Sequence, residues 1–169
     1  SDVCSSDLAA VGGGIRIAPG AEVSIQRCVL SGNEGGAEGG GALYASGARV
    51  RMDQTRIVGN RSEAGSSALL LDGRSQLVMR ASLIAENVDM SSGLIRLLDG
   101  AQIQVFGSTI ANNQAPWAIE FGGTAARHSS LHAHGSILSH QGGPILWVID
   151  GARPPQLRVQ ATVLHGDAS

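Results

Sequence analysis

Apolar residues return in this chain at a long, steady period, and inside each period they alternate with polar ones. In "EVSIQ" (22–26), Val23 and Ile25 share one side, and Glu22 and Ser24 lie on the other. The same alternation recurs at Val50/Met52, Leu77/Met79, Ile103/Val105, Leu131/Ala133 and Leu157/Val159. A period of two with one wet side is a half-buried strand. Further on comes an aliphatic register: Leu30, Ile57, Ile84, Ile110, Leu138, Leu164. Two residues before each stands a small one: Cys28, Thr55, Ser82, Ser108, Ser136, Thr162. Three residues after each stands Asn33, Asn60, Asn87, Asn113, Gln141 or Asp167, with steps of 27, 27, 26, 28 and 26.

An earlier strand opens each period. Its inward pairs are read as Ile15/Ile17, Ala42/Tyr44, Ala68/Leu70, Ile95/Leu97, Trp117/Ile119 and Leu146/Val148. Glycine follows at Gly20, Gly47, Gly73, Gly100 and Gly151, three times as an Asp-Gly turn pair. Each period therefore reads strand, Gly turn, strand, bend, strand, Asn turn. Because like slots carry like residues, coiling that stacks each slot on its successor explains the registers better than hairpins do. The expected fold is all-β: a single-stranded parallel β-helix solenoid of about six coils, each of 26–28 residues with three short strands. At about 4.8 Å per coil the rod is roughly 25–30 Å long. Asn33, Asn60, Asn87 and Asn113 are read as a structural turn ladder. Asn tolerates left-handed backbone, bonds nearby backbone groups, and can bond its stacked copies.

Function is sought where this regularity fails. On this facing, Leu43, Leu69, Leu71, Leu98, Trp147 and Ile149 project outward from the first strand as an apolar docking stripe, facing a partner or missing parts of the same chain. "EFGGTAARHSS" and "GARPPQL" lengthen the corner between the first and second strands in coils five and six. Arg127, His128 and Arg153 there are candidate binding residues. His132 and His134 share the outward face of the second strand and join them. Two same-face histidines with no third ligand make no zinc site, so no metal or other cofactor is expected. Asp53 with Arg51 and Arg80 reads as surface ion pairing, and Asp72, Asp99 and Asp150 as turn residues.

Composition narrows the picture. Hydrophobic residues at 43% suffice for a core, and charged residues are only 15%. The formal net charge of -2 argues against a general nucleic-acid binder. No run of eighteen apolar residues suggests a membrane span. Cys4 and Cys28 make neither a metal cluster nor a disulfide framework. Residues 1–8, "SDVCSSDL", break with everything after them. They resemble translated sequencing-adapter remnants and are set aside as a non-native leader. Residues 9–169 are then a β-helix fragment whose terminal caps are absent, expected to be aggregation-prone in isolation.

From about Gly12 to Asp167 the chain resembles the right-handed parallel β-helix superfamily with the pectin-lyase-like fold. "GGGI" (12–15) and "GGAL" (40–43) are similar to the Gly-Gly motifs of polymorphic outer-membrane protein repeats. The resemblance implies the right-handed sense and an extracellular, outer-membrane or cell-surface location. It also implies a carbohydrate or cell-surface partner. Enzymes of the superfamily need clustered acids, either as calcium ligands or as a carboxylate pair. Glu22 and Asp53 lie one coil apart in different slots, so no catalytic residue is assigned. The expected function is a structural or binding scaffold. The alternatives are a fragment of a polysaccharide lyase or glycoside hydrolase, and a passenger segment of an autotransporter adhesin.

Overall fold

The computed structural model describes residues 2–4, 13–36, 39–63, 65–124 and 126–166. Asp167 and residues 1 and 5–8 of the leader lie outside the described residues. Asp2–Cys4 lies parallel on Cys28–Leu30 at the start of one sheet.

Every sheet is parallel, and each strand pairs with the equivalent strand of the neighbouring coil. The first sheet stacks Ile15–Ile17, Leu43–Ser46, Leu69–Asp72, Gly93–Leu98, Trp117–Gly122 and Leu146–Val148. The second stacks Glu22–Gln26, Arg49–Asp53, Gln76–Arg80, Gln102–Phe106, Ser130–His134 and Gln156–Gln160. The third continues from Cys28–Ser31 through Arg56–Val58, Leu83–Ala85, Thr109–Ala111 and Ile137–His140 to Val163–Gly166. Glu34–Gly35, Arg61–Ser62 and Val88–Asp89 add a short fourth sheet after the Asn corner, beyond the three strands per coil that the pattern suggests.

The second and third sheets carry the register read from the alternation. Val50, Leu77, Ile103 and Leu131 form one buried column, and Ile57, Ile84, Ile110 and Leu138 another. Inward columns of like shape bury a continuous apolar strip that no single coil could close. The last coil has a neighbour on one side, so its inward residues Leu157, Val159 and Leu164 remain exposed. Among the described residues no helix is long and apolar enough to cross a membrane.

The first sheet corrects the expected facing. Its register aligns Ile15, Leu43, Leu69, Ile95, Ile119 and Leu146, and then Ile17, Ala45, Leu71, Leu97, Phe121 and Val148. Leu43, Leu69 and Leu71 are therefore fully buried core residues and not part of a docking stripe. Leu98 and Ile149 are half-buried and close over Gly122, where an added Cβ would lie 3.0 and 2.8 Å from their methyl carbons. Trp147 alone of the six is exposed. The outward row is Arg16, Tyr44, Leu70, Arg96, Glu120 and Trp147. The pairs Ala42/Tyr44 and Ala68/Leu70 are one residue out of register, and Trp117/Ile119 is two out. "LLL" at 69–71 holds no alternation from which a side can be chosen.

The corners rest on left-handed backbone. The residue before the small column, at Arg27, Gln54, Ala81, Gly107, Gly135 and Ala161, has φ between 45° and 57°. So does the residue before each Asn, at Gly32, Gly59, Glu86 and Asn112, with φ between 56° and 67°. The ladder asparagines themselves do not adopt it, so that part of their expected role passes to the preceding residue. An added Cβ at Gly107 meets nothing within 4 Å, which leaves backbone strain as the penalty. Gly107→Val should lower stability by about 1–2 kcal/mol. Ala81→Gly, at the equivalent place one coil earlier, should cause no loss. Urea unfolding midpoints of the two variants check this.

Candidate functional site

The outward side of the second sheet is polar because alternation sends every second residue to water. Its rows rise coil by coil: Glu22, Arg49, Gln76, Gln102, Ser130, Gln156, beside Ser24, Arg51, Val78, Gln104, His132, Arg158. Of the depressions along this face, three adjoin one another. One of ≈ 580 Å³ is lined by Glu22, Arg49, Arg51 and Gln76. One of ≈ 340 Å³ reaches the corner at Gly47 and Arg74. One of ≈ 480 Å³ contains Arg74, Gln102, Arg127, His128, Arg153 and Gln156. All three share Gln76, so they form one shallow trough parallel to the solenoid axis.

The trough brings together Arg127, His128 and Arg153 from the two long corners. His128 Nδ1 bonds the Pro154 carbonyl at 2.6 Å, so this nitrogen carries the proton, and Arg153 donates to the Ala126 carbonyl at 3.3 Å. These two bonds tie the corners of coils five and six. Arg127 lies over Gly100, where an added Cβ would be 3.1 Å from the Arg127 Cβ. Arg74 joins them from coil three. Sequence reasoning missed it, and its only signal is a place just after the Asp72-Gly73 turn.

His132 and His134 lie further along the face, apart from His128. His132 stands edge-on to Phe106, with ring centroids 5.4 Å apart, and lines a depression of ≈ 310 Å³ with Gln156 and Arg158. Among the described residues no three His, Cys, Asp or Glu are grouped to hold a metal ion. Asp53 forms no ion pair among the described residues, and Arg80 instead covers the Phe106 ring.

Asn33, Asn60, Asn87 and Asn113 are buried and form a continuous amide ladder. Asn60 Oδ1 accepts from the backbone N–H and the side-chain NH₂ of Asn33, at 3.0 and 2.8 Å. Asn60 Nδ2 donates in turn to Leu30 O, Val58 O and Asn87 Oδ1. Asn87 repeats the pattern onto Asn113. The next rung is His140, not Gln141: the bridges from Val88 to Gln114 and from Gln114 to Gln141 place Asn113 and His140 in the same slot. His140 is buried and Gln141 exposed. A second ladder runs through the small column, where Thr55, Ser82 and Ser108 N–H groups donate to Ser82, Ser108 and Ser136 Oγ. Cys28, at the head of that column, is in a disulfide, which the spacing did not assign.

A polar cluster unseen in the sequence occupies the corner of coils four and five. Glu120 is buried, and its Oε2 accepts from Trp117 Nε1 at 2.7 Å and from Gly93 N at 2.9 Å. Its Oε1 takes Arg96 Nε at 2.8 Å. Trp117 stacks on Trp147 with centroids 5.0 Å apart. Asp89, also buried, accepts from Ser91 N and Ser92 N through Oδ1, while its Oδ2 has no hydrogen-bond partner. Burial pushes the Asp89 carboxyl up from 3.8 to about 6 against the Ser91 and Ser92 bonds, with the Glu120 charge adding to the rise. Both carboxylates are enclosed, so neither faces the trough.

Two outcomes follow from these geometries. Asn60→Ala strands buried donors and acceptors on both neighbouring coils and should lose about 3–4 kcal/mol, read by urea unfolding. For Asp89 the fold favours the neutral acid. Its contribution is complete below about pH 4 and is lost as pH rises through about 6. Wild-type stability should therefore fall by on the order of 2–3 kcal/mol across that window, and Asp89→Asn should flatten the fall.

No curated protein and no solved structure matches this chain. The family model of a right-handed β-helix region matches residues 5–143, most of the chain and nearly all of the stacked coils. With the parallel sheets, in-register columns and corner ladders in place, that match identifies the chain as a member of the right-handed parallel β-helix family.

Proposed function

We propose that the chain is a binding scaffold of an exported or cell-surface protein, and that it holds a carbohydrate chain along the trough on its second sheet. The observation that carries this reading is that the three depressions share Gln76, so that their linings run from Glu22 in the first coil to Gln156 in the sixth. An extended ligand lying parallel to the axis meets a new polar side chain at each coil, roughly every 4.8 Å. Gln76, Gln102, Ser130 and Gln156 supply paired donors and acceptors of the kind that sugar hydroxyls need. The location outside the cell rests on the resemblance to pectin-lyase-like and outer-membrane repeats. The trough is lined mainly by arginine, glutamine and serine, and its one carboxylate, Glu22, is paired with Arg49 at 2.7 Å. That lining suits retention of a glycan better than hydrolysis, which uses two carboxylates across a sugar ring.

A screen of oligosaccharides by calorimetry tests the reading. Binding is expected without release of new reducing ends or unsaturated products. Gln76→Trp, which obstructs the shared middle of the trough on an exposed position, should weaken binding at least about tenfold and leave the melting temperature within a few degrees. Cleavage of a bound glycan, or binding indifferent to Gln76→Trp, would count against it.

A further inference from the structure

We infer that the outward face of the third sheet docks a second copy of this chain, the two copies being related by a two-fold axis along the solenoid. On the second sheet the outward rows are polar, as a wet face requires. On the third they are not. One outward row carries Val29, Leu83, Ile137 and Val163, with Arg56 and Thr109 between them. The row two residues on carries Ser31, Ala85, Ala111 and Ser139, interrupted by Val58 and closed by His165. Ile137 is 44% exposed and Val163 59%, while Val29, Val58 and Leu83 are half-buried. Neither row holds an acid, and Arg56 is their one arginine. Parallel strands that are apolar on both sides are strands covered on both sides. A contiguous apolar face on the outside of a folded chain marks a contact surface.

Shape, charge and area point to a second copy as the occupant. The two rows differ in size, so Leu83 stands beside Ala85, Thr109 beside Ala111, Ile137 beside Ser139 and Val29 beside Ser31. A two-fold axis along the solenoid lays the first row of each copy on the second row of the other, coil for coil. In coils one, three, four and five a larger side chain then meets a smaller one, as interdigitation of two sheets about 10 Å apart requires. A two-fold axis along the strands would instead set large row on large row and small on small. The charge also permits self-association. Arg56 meets Val58 of the second copy and not another Arg56, and its stem can lie on apolar surface while the guanidinium reaches water at the rim. From Cys28–Ser31 to Val163–Gly166 the strip spans five steps of about 4.8 Å and strands of three or four residues, roughly 24 Å by 10–13 Å. That is well below the about 800 Å² per partner of a standard interface, so the dimer is a weak one that dilution separates. The second sheet stays uncovered in this arrangement, so the dimer and the glycan trough are independent of each other.

Sedimentation of the full chain between about 5 and 500 µM tests this, and wild type should pass from monomer to dimer over that range. Thr109→Glu and Ala111→Arg each bury an unpaired charge at the middle of the strip, and each alone should weaken association about tenfold or more. Mixed in equal amounts the two variants should regain at least about fivefold, because Thr109 of one copy faces Ala111 of the other. Ile137→Glu changes an exposed position, so it should weaken the dimer with the melting temperature nearly unchanged. Gln104→Glu, on the second sheet, should leave the dimer as it is. Leu164→Gln alters the exposed inward end of the last coil and should also leave it intact. Thermal melting confirms that each variant is folded. A monomer at every concentration overturns the inference, as does a dimer indifferent to Thr109→Glu and Ile137→Glu. Association lost in Leu164→Gln and kept in Thr109→Glu means end-to-end stacking and overturns it too. Failure of the mixed variants to regain affinity overturns the two-fold axis along the solenoid.

Discussion

The structure depends on satisfying backbone N–H and C=O groups where a coil turns. Within the flat runs, neighbouring strands pair with one another without help. At a corner the chain bends away from the ladder, and its polar groups would be buried without partners. Leaving one such group unmet removes on the order of 1–3 kcal/mol, a large share of a domain's net stability. Here the side chain of the next coil supplies the partner. Asn60 Oδ1 meets the Asn33 N–H, and Ser82 Oγ meets the Thr55 N–H. The constraint acts between coils, so it fixes coil length and residue type together.

Other features follow from that constraint. The bend before each ladder residue requires positive φ, which glycine adopts freely and which Glu86, Asn112, Ala81 and Ala161 hold under strain. Because the corners fix the phase of each coil, the aliphatic columns superpose and the core becomes continuous. The final described position of this slot, His140, keeps a buried polar ring there. The Asp89 and Glu120 corner uses carboxylates for the same task. Glu120 gathers Gly93 N, Trp117 Nε1 and Arg96, and Asp89 holds the Ser91 and Ser92 amides.

This division of labour leaves one set of residues unconstrained. Side chains that face outward on the second sheet neither pack the core nor satisfy a corner. Their rows change freely from Glu22 and Arg49 to Gln76, Gln102 and Ser130. A solenoid of this kind can therefore vary its outer rows and corner loops, where substitution does not disturb stacking.

The repeat itself was legible in the sequence. The aliphatic register Leu30 to Leu138 and the alternation of Val50/Met52 or Ile103/Val105 fix strands and sides directly, since a period of two admits only two faces. The asparagines announced a ladder because four copies at near-equal spacing stack on one another. Tertiary structure decided what local pattern leaves degenerate. The side of Leu43, Leu69 and Leu71 depended on the pairing of their strands with Ile15–Ile17 and Gly93–Leu98, because consecutive leucines carry no phase of their own. His140 takes the slot in place of Gln141 because a slot is assigned by backbone register and not by residue similarity. Arg74 met Arg127 and Arg153 only because coiling brings residues more than 50 positions apart to one corner. The sequence alone determined the period, the coil and the core columns of the second and third sheets, because each repeats in every coil. The trough and the buried carboxylate corner occur once, made by neighbours across coils, and only the folded solenoid places them together.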